Sequence, residues 1–214
     1  MIVNERIVSY IHSLEKSNGP LLDEIEAYAK ANKVPIIRKE VESFLKVLLA
    51  IRQPQNILEL GTAIGYSAVF MSECVSENSR ITTIENYEKR IPIAEENIKK
   101  AGRENKICLI FGDALEEMKK MKSESFDFVF MDAAKAQYIY FLPEAVRLLK
   151  PGAVLVADNV LQEGDLIESR YAVTRRNRTI HARMREYMFE VKNRSDLITT
   201  IVPMGDGLTV SIKR

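Results

Sequence analysis

Asn56-Ile-Leu-Glu-Leu-Gly-Thr-Ala-Ile-Gly-Tyr-Ser67 is the stretch whose reading decides the fold. Ile57, Leu58 and Leu60 make the short apolar run of a strand buried on both faces. Gly61 and Gly65 follow, and Tyr66–Cys74 reads as a helix. Strand, glycine turn and helix in that order leave bare backbone N–H groups where a ligand can approach closely. From here outward the periods alternate. Strands are predicted at 56–60, 80–84, 106–110, 126–131 and 153–157, separated by helical stretches. That alternation predicts a doubly wound, mostly parallel α/β sheet with right-handed crossovers. Leu197–Val202 and Leu208–Ile212 flank Gly205-Asp206-Gly207 and read as a closing antiparallel hairpin, which brings the expected strands to seven.

A helical preface comes before the first strand. Apolar spacing predicts helices over 2–17, 21–33 and 38–51, broken by Ser17-Asn-Gly-Pro20 and by Val34-Pro35. The preface reads either as a cap over a sheet edge or dimer surface, or as a support that folds Val34–Ile37 over a ligand mouth. No repeat or interdomain linker is visible. The expectation is one domain over 1–214, with the preface at 1–53 and the core at 54–214.

Composition narrows the class. With 214 residues, 46% hydrophobic and 29% charged, the chain reads as a soluble globular protein. A net charge of +1 provides no global field toward nucleic acid or membrane, so any such surface must be local. Cys74 and Cys108 lack metal or redox spacing and are expected to be buried thiols in a reducing compartment. Glu5 and Arg6 interrupt the start of the chain, so no signal-peptide core forms. No apolar run approaches the ~20 residues of a membrane helix. A cytoplasmic protein with no membrane partner is expected.

Ligands of open α/β sheets sit beyond the carboxyl ends of the strands, so the residues there are informative. Ala63 stands where a dinucleotide fingerprint would have its middle glycine, and Glu59 precedes the turn. A carboxylate there repels a pyrophosphate and suits a ligand with a positive end, such as S-adenosylmethionine. An ordinary βα turn with a glycine pair competes with that reading. The second strand ends at Glu85, which can accept both hydroxyls of a ribose. The third leads into Asp113 and Ala114, and the aspartate can accept from an adenine amino group. The fourth ends at Asp132 and the fifth at Asp158-Asn159. Helix capping accounts for one such residue; four consecutive acidic strand ends point to a nucleoside.

Asp132, Asp158 and Asn159 are expected to converge if the fourth and fifth strands are neighbours. Two carboxylates and an amide suit a hard cation such as Mg²⁺. The competing account is that Asp158 and Asn159 begin a turn by bonding their own backbone. Lys135, three residues after Asp132, reads either as a base whose pKa falls beside a cation or as a solvated helix-start lysine.

Leu58-Glu-Leu-Gly-Thr-Ala-Ile-Gly-Tyr-Ser67, Met131-Asp-Ala-Ala-Lys-Ala-Gln-Tyr138 and Val156-Ala-Asp-Asn-Val160 together resemble the metal-dependent class I O-methyltransferases of the catechol and caffeoyl-coenzyme A type. The resemblance covers nearly the whole chain and implies a Rossmann-like seven-stranded sheet. Val34-Pro-Ile-Ile37 and Pro203-Met-Gly-Asp-Gly-Leu208 carry a closer similarity to the bacterial tRNA 5-hydroxyuridine methyltransferases. The resemblance implies that Glu85 holds the ribose of S-adenosylmethionine and that Asp113 and Ala114 frame its adenine. Glu59, Gly61 and Ser67 would serve the amino-acid end, with Ile37 over the cofactor and Asp132 beside it. Asp132, Asp158 and Asn159 would carry Mg²⁺, and Lys135 would act with Asp132 as the catalytic base. A homodimer through the preface is also implied.

The substrate question turns on Arg170–Arg185, which holds six arginines, His181 and no carboxylate. Arg175, Arg176, Arg178 and Arg183 are candidate contacts to an RNA backbone, here the anticodon stem-loop of tRNA. Ile180, Met184, Tyr187, Met188 and Val191 form a helical stripe, so several of these arginines also read as its solvated face. Tyr138, Tyr140 and Tyr171 are candidate stacking partners for an unpaired base, with at least one expected in the core. The leading expectation is conversion of 5-hydroxyuridine to 5-methoxyuridine in tRNA. The alternatives are methylation of a small catechol-like phenol and a nucleotide- or RNA-binding module without transfer.

Overall fold

The computed structural model describes residues 2–214. Seven strands run in the order β3-β2-β1-β4-β5-β7-β6, a mixed sheet with a parallel core and an antiparallel C-terminal hairpin, as the alternation predicts. The chain divides into two compact units, one of Arg6–Ala114 and one built on Leu115–Arg214 with the first residues of the chain. No helix among the described residues is long and apolar enough to cross a membrane.

The first unit opens with the preface helices α1 (Glu5–Leu14), α2 (Pro20–Ala31) and α3 (Lys39–Arg52). Pro20 sits in the first turn of α2, where its fixed φ suits the helix and its missing N–H costs nothing. Val41, Leu45 and Leu49 make the buried stripe of α3. On α1 only Val8 is buried, and Ile7, Tyr10 and Leu14 face outward. Parallel strands follow: β1 (Asn56–Leu60), β2 (Arg80–Glu85) and β3 (Ile107–Phe111), linked by α4 (Tyr66–Cys74) and α5 (Ile91–Lys100). Ile57, Leu58 and Leu60 are fully buried, which explains why β1 is continuously apolar rather than alternating. Lys106, just before β3, is buried; its Nζ donates to Ser72 O at 2.6 Å and Val75 O at 3.1 Å, closing the last turn of α4.

Cys74 is half-buried, and burial pushes its thiol up to about 11. Cys108 is exposed, contrary to the expected buried thiol. The reason is position: β3 lies at the sheet edge, where an apolar strand pattern no longer guarantees cover on both faces.

The second unit holds α6 (Ala114–Lys120), β4 (Phe126–Met131), α7 (Tyr138–Leu148), β5 (Leu149–Ala157), α8 (Arg178–Asn193), β6 (Leu197–Val202) and β7 (Leu208–Lys213). β5 begins four residues earlier than predicted. Leu149 pairs with Phe126 and Val154 with Phe128, so the Pro151-Gly152 irregularity lies inside the strand as a register shift. β5 then pairs antiparallel with β7, and β7 with β6. Phe128, Val129, Phe130, Leu155 and Val156 are fully buried, and Met184, Tyr187 and Val191 of α8 join that core.

The hairpin turn is strapped to the end of β5: Val160 N donates to Gly207 O at 2.9 Å and Leu161 N to Asp206 O at 2.8 Å. Gly207 has a φ of 85°, and a Cβ there would stand 2.7 Å from Leu161 Cδ1 and 2.8 Å from its Cβ. Gly152, at 76°, has nothing within 4 Å of such an atom. Gly207→Ala is therefore expected to cost about 2–4 kcal/mol from strain plus overpacking, and Gly152→Ala only about 1 kcal/mol. Urea denaturation of both variants checks this; equal losses would show that the space beside Leu161 is not limiting.

Candidate active site

In the first unit the glycine turn is left-handed three times, at Gly61 (φ 95°), Ala63 (47°) and Gly65 (84°). Gly65 starts α4 against α5, and a Cβ there would lie 3.4 Å from Ala94 Cα and O. Side chains then hold the turn in place. Thr83 donates to Glu59 Oε2 at 2.5 Å, so Thr62, 2.5 Å from Thr83 Oγ1, must be the donor to it. Glu59 is fully buried beneath this relay. Glu85 accepts three backbone N–H bonds: Ala63 N on Oε2 at 2.8 Å, and Asn86 N and Tyr87 N on Oε1 at 3.0 and 2.9 Å. Oε2 thus retains a lone pair for a further donor. Ser67 and Ile37 are buried, Ala114 is half-buried and Asp113 is exposed just before α6.

In the second unit β4 and β5 are parallel neighbours with Met131 opposite Ala157, so Asp132 and Asp158 follow at one level. Asp158 N donates to Met131 O at 2.9 Å, continuing the ladder. Asp158 is 2% exposed. Burial, then the charge of Asp132, pushes its carboxyl up to about 7, with Lys135 and the Asn159 N–H working the other way. Asn159 is left-handed at 57° and its N–H donates to Asp158 Oδ1 at 2.6 Å. The backbone bond expected of a turn at Asp158-Asn159 is therefore present, and the strand register brings Asp132 to the same level as Asp158.

Lys135 Nζ donates to Asp132 Oδ1 at 2.8 Å and to the Tyr138 hydroxyl at 3.1 Å. Burial works to lower its pKa, but Tyr138, Asp132 and Asp158 outweigh it, and the ammonium is held above the ordinary lysine range. Tyr138 is fully buried, and its hydroxyl donates toward Met131 O (2.9 Å) and Asp158 O (3.1 Å). It is the core tyrosine of the three stacking candidates. Its bridging of two strand ends is a role that sequence spacing does not reveal, since only the i,i+3 offset from Lys135 hints at it.

Among the described residues no three His, Cys, Asp or Glu side chains gather as a metal site. The donor set expected from the sequence, the Asp132 and Asp158 carboxylates and the Asn159 amide, is all hard oxygen, with Asp158 buried beside the charge of Asp132. That chemistry fits Mg²⁺.

The arginine segment divides into two groups. Arg178 lies over the Tyr171 ring at 5.8 Å and Arg183 over Tyr140 at 5.2 Å, while Arg185 donates to Leu166 O at 3.3 Å. Arg175 and Arg176 are exposed, and no described residue pairs with them. Tyr140 and Tyr171 are exposed as well.

A family model described as O-methyltransferase matches residues 12–214. The chain is 36% identical to the catechol O-methyltransferase of Niastella koreensis over 128 residues, 58% of each protein, so the match spans less than two thirds of that relative. A solved Staphylococcus aureus structure, a candidate caffeoyl-CoA O-methyltransferase, has a TM-score of 0.90 at 30% identity, covering 97% of this chain and 99% of that one. A Bacillus cereus O-methyltransferase solved in complex with SAH gives 0.84 at 26% identity, covering 98% and 97%. With nearly the full length matched, the chain belongs to the O-methyltransferase family, whose chemistry is methyl transfer from S-adenosylmethionine to an oxygen.

Proposed function

We propose that the chain methylates the hydroxyl of an acceptor with two adjacent oxygens, using S-adenosylmethionine and Mg²⁺, and that this acceptor is 5-hydroxyuridine in the tRNA anticodon loop. The observation that carries the chemistry is the pair of neighbouring strand-end carboxylates, Asp132 and the buried Asp158, with Lys135 on the first. The SAH complex of the Bacillus cereus relative supports the cofactor. On this reading Glu85 Oε2 receives the ribose, and Asp113 and Ala114 flank the adenine. Gly61 and Ser67 line the amino-acid end above the Glu59 relay, under Ile37.

Bound S-adenosylmethionine brings the sulfonium methyl, and Mg²⁺ held by Asp132, Asp158 and Asn159 supplies a Lewis acid that lowers the pKa of the acceptor hydroxyl. The chain itself supplies position and charge. Tyr138 keeps the two strand ends together through their carbonyls. Held on Asp132 with its pKa above the ordinary lysine range, Lys135 stands at the site as a charged ammonium, and it can take the acceptor proton only once its own proton has passed to solvent and the contact with Asp132 has opened.

The RNA reading is supported by Arg175 and Arg176, exposed in a segment free of carboxylates. Arg178 over Tyr171 and Arg183 over Tyr140 add guanidinium–ring surfaces on which an unstacked base can lie. A small catechol-like phenol offers the same two adjacent oxygens, and the name of the Niastella koreensis relative favours that second reading. The outward apolar stripe Ile7, Tyr10 and Leu14 on α1 supports pairing of two copies through the preface.

Two experiments test these readings. Asp158→Ala is expected to lower kcat at least ~100-fold with little change in S-adenosylhomocysteine affinity by calorimetry; undiminished turnover would remove the metal mechanism. Arg175→Glu/Arg176→Glu is expected to lower kcat/KM on tRNA roughly 10- to 100-fold and flatten its salt dependence, leaving a small catechol unaffected. Equal loss on both substrates would make these arginines structural and sink the RNA assignment.

A further inference from the structure

An ionic cluster, buried at Glu42 and Tyr66 and half-buried at Lys39 and Glu26, joins the preface helices to the glycine turn. Lys39 Nζ, at the start of α3, contacts Glu26 Oε2 of α2 at 2.7 Å and Glu42 Oε2 at 3.2 Å. It also donates to the Tyr66 hydroxyl at 3.2 Å and lies 5.8 Å from that ring's centroid. Tyr66 donates to Glu42 Oε1 at 2.8 Å, and Asn18 Nδ2 to Glu42 Oε2 at 2.6 Å. Glu42 is 3% exposed and Tyr66 1%. Every charge in the cluster is answered.

Apolar residues of similar shape would pack such a space without the desolvation penalty, so the value of a buried ion pair is directional rather than energetic. Its direction here is informative. Tyr66 is the first residue of α4, next to the left-handed Gly65, so its hydroxyl pins the exit of the glycine turn to α3. Glu26 and Lys39 stand on either side of the connection that carries Val34–Ile37, a segment without helix or strand. Val34 N donates to Ala29 O at 2.9 Å at one end, and Ile37 is buried at the other. One lysine thus anchors both the connection and the turn.

We infer that Tyr66, Glu42, Lys39 and Glu26 are positioning residues that hold Val34–Ile37 and Gly61–Gly65 ready for the cofactor, so that cofactor affinity depends on side chains that brace these two segments from the preface helices and the start of α4. The inference rests on the reading that this turn and Ile37 receive S-adenosylmethionine. Preorganisation of this kind lowers the ordering cost of binding, and its loss weakens affinity without removing a contact.

The test is titration calorimetry of the full chain with S-adenosylhomocysteine. Tyr66→Phe removes one hydroxyl and is expected to weaken binding about 10-fold or more. Tyr187→Phe, which loses an equally buried hydroxyl bond to Thr209 at 2.8 Å, controls for stability and is expected to bind as wild type. Hydrogen exchange of the Ile36 and Ile37 amides is expected to quicken in Tyr66→Phe and not in Tyr187→Phe. Wild-type affinity in Tyr66→Phe, or equal weakening in both variants, overturns the inference. Failure of the wild type itself to bind overturns the cofactor reading and this inference with it, a result recognisable from the wild type alone. If Tyr66→Phe does not fold, Lys39→Met carries the same expectation in both measurements.

Discussion

Parallel pairing of two buried strands sets the central constraint. With Met131 opposite Ala157, the next residue of each strand has no freedom to be elsewhere, and both are aspartates. Two carboxylates side by side at the edge of an apolar core repel each other, and the buried one, Asp158, lacks water to screen it. Asp158 shows the consequence, its carboxyl raised to about 7 by burial and by its neighbour. Lys135 offsets part of this through Asp132, and Tyr138 fastens the Met131 carbonyl just before Asp132 and the carbonyl of Asp158 itself. A locally unfavourable arrangement persists because the register and that hydroxyl over-determine it, which is the pattern expected where a fold carries chemistry.

The first unit solves a different problem, that of orienting polar backbone without a ligand. Three left-handed residues in five would leave the turn free to wander, yet its amides and hydroxyls are drawn into fixed bonds. Glu85 collects the N–H of Ala63 from the turn and those of Asn86 and Tyr87 from its own strand end. Glu59, Thr83 and Thr62 brace the turn from the buried side. Carboxylates here work in pairs of roles: one is structural and enclosed, the other lies at the rim with a lone pair in reserve.

Charge on the arginine-rich segment is likewise divided by geometry. A guanidinium can lie over a ring or reach a carbonyl with its planar fork, and Arg178, Arg183 and Arg185 do so. Arg175 and Arg176, one turn before α8, have no such partner among the described residues. Of the six arginines in the segment, three are engaged in this way and three, Arg170, Arg175 and Arg176, stand exposed and available to a polyanion.

Much of the architecture was legible beforehand. Alternating strand and helix periods, the glycine turn and the Gly-Asp-Gly hairpin are local patterns, set by propensity and burial within a few residues, and they placed β1, α4 and β6 at their observed bounds and β7 within one residue of its end. The acidic strand ends were legible for the same reason, since they follow directly from where each strand stops. What no local pattern carries is contact between distant residues: the Glu26–Lys39–Glu42–Tyr66 cluster, the Lys106 cap on α4, the bulge that lengthens β5, and the burial of Tyr138 as against the exposure of Cys108. Sequence by itself determined which chemistry-bearing residues stand at the ends of strands, because period and turn chemistry are written in neighbouring positions. Only tertiary structure decided which of them share a proton, a charge or a hydroxyl, because those couplings act through space between residues the chain keeps far apart.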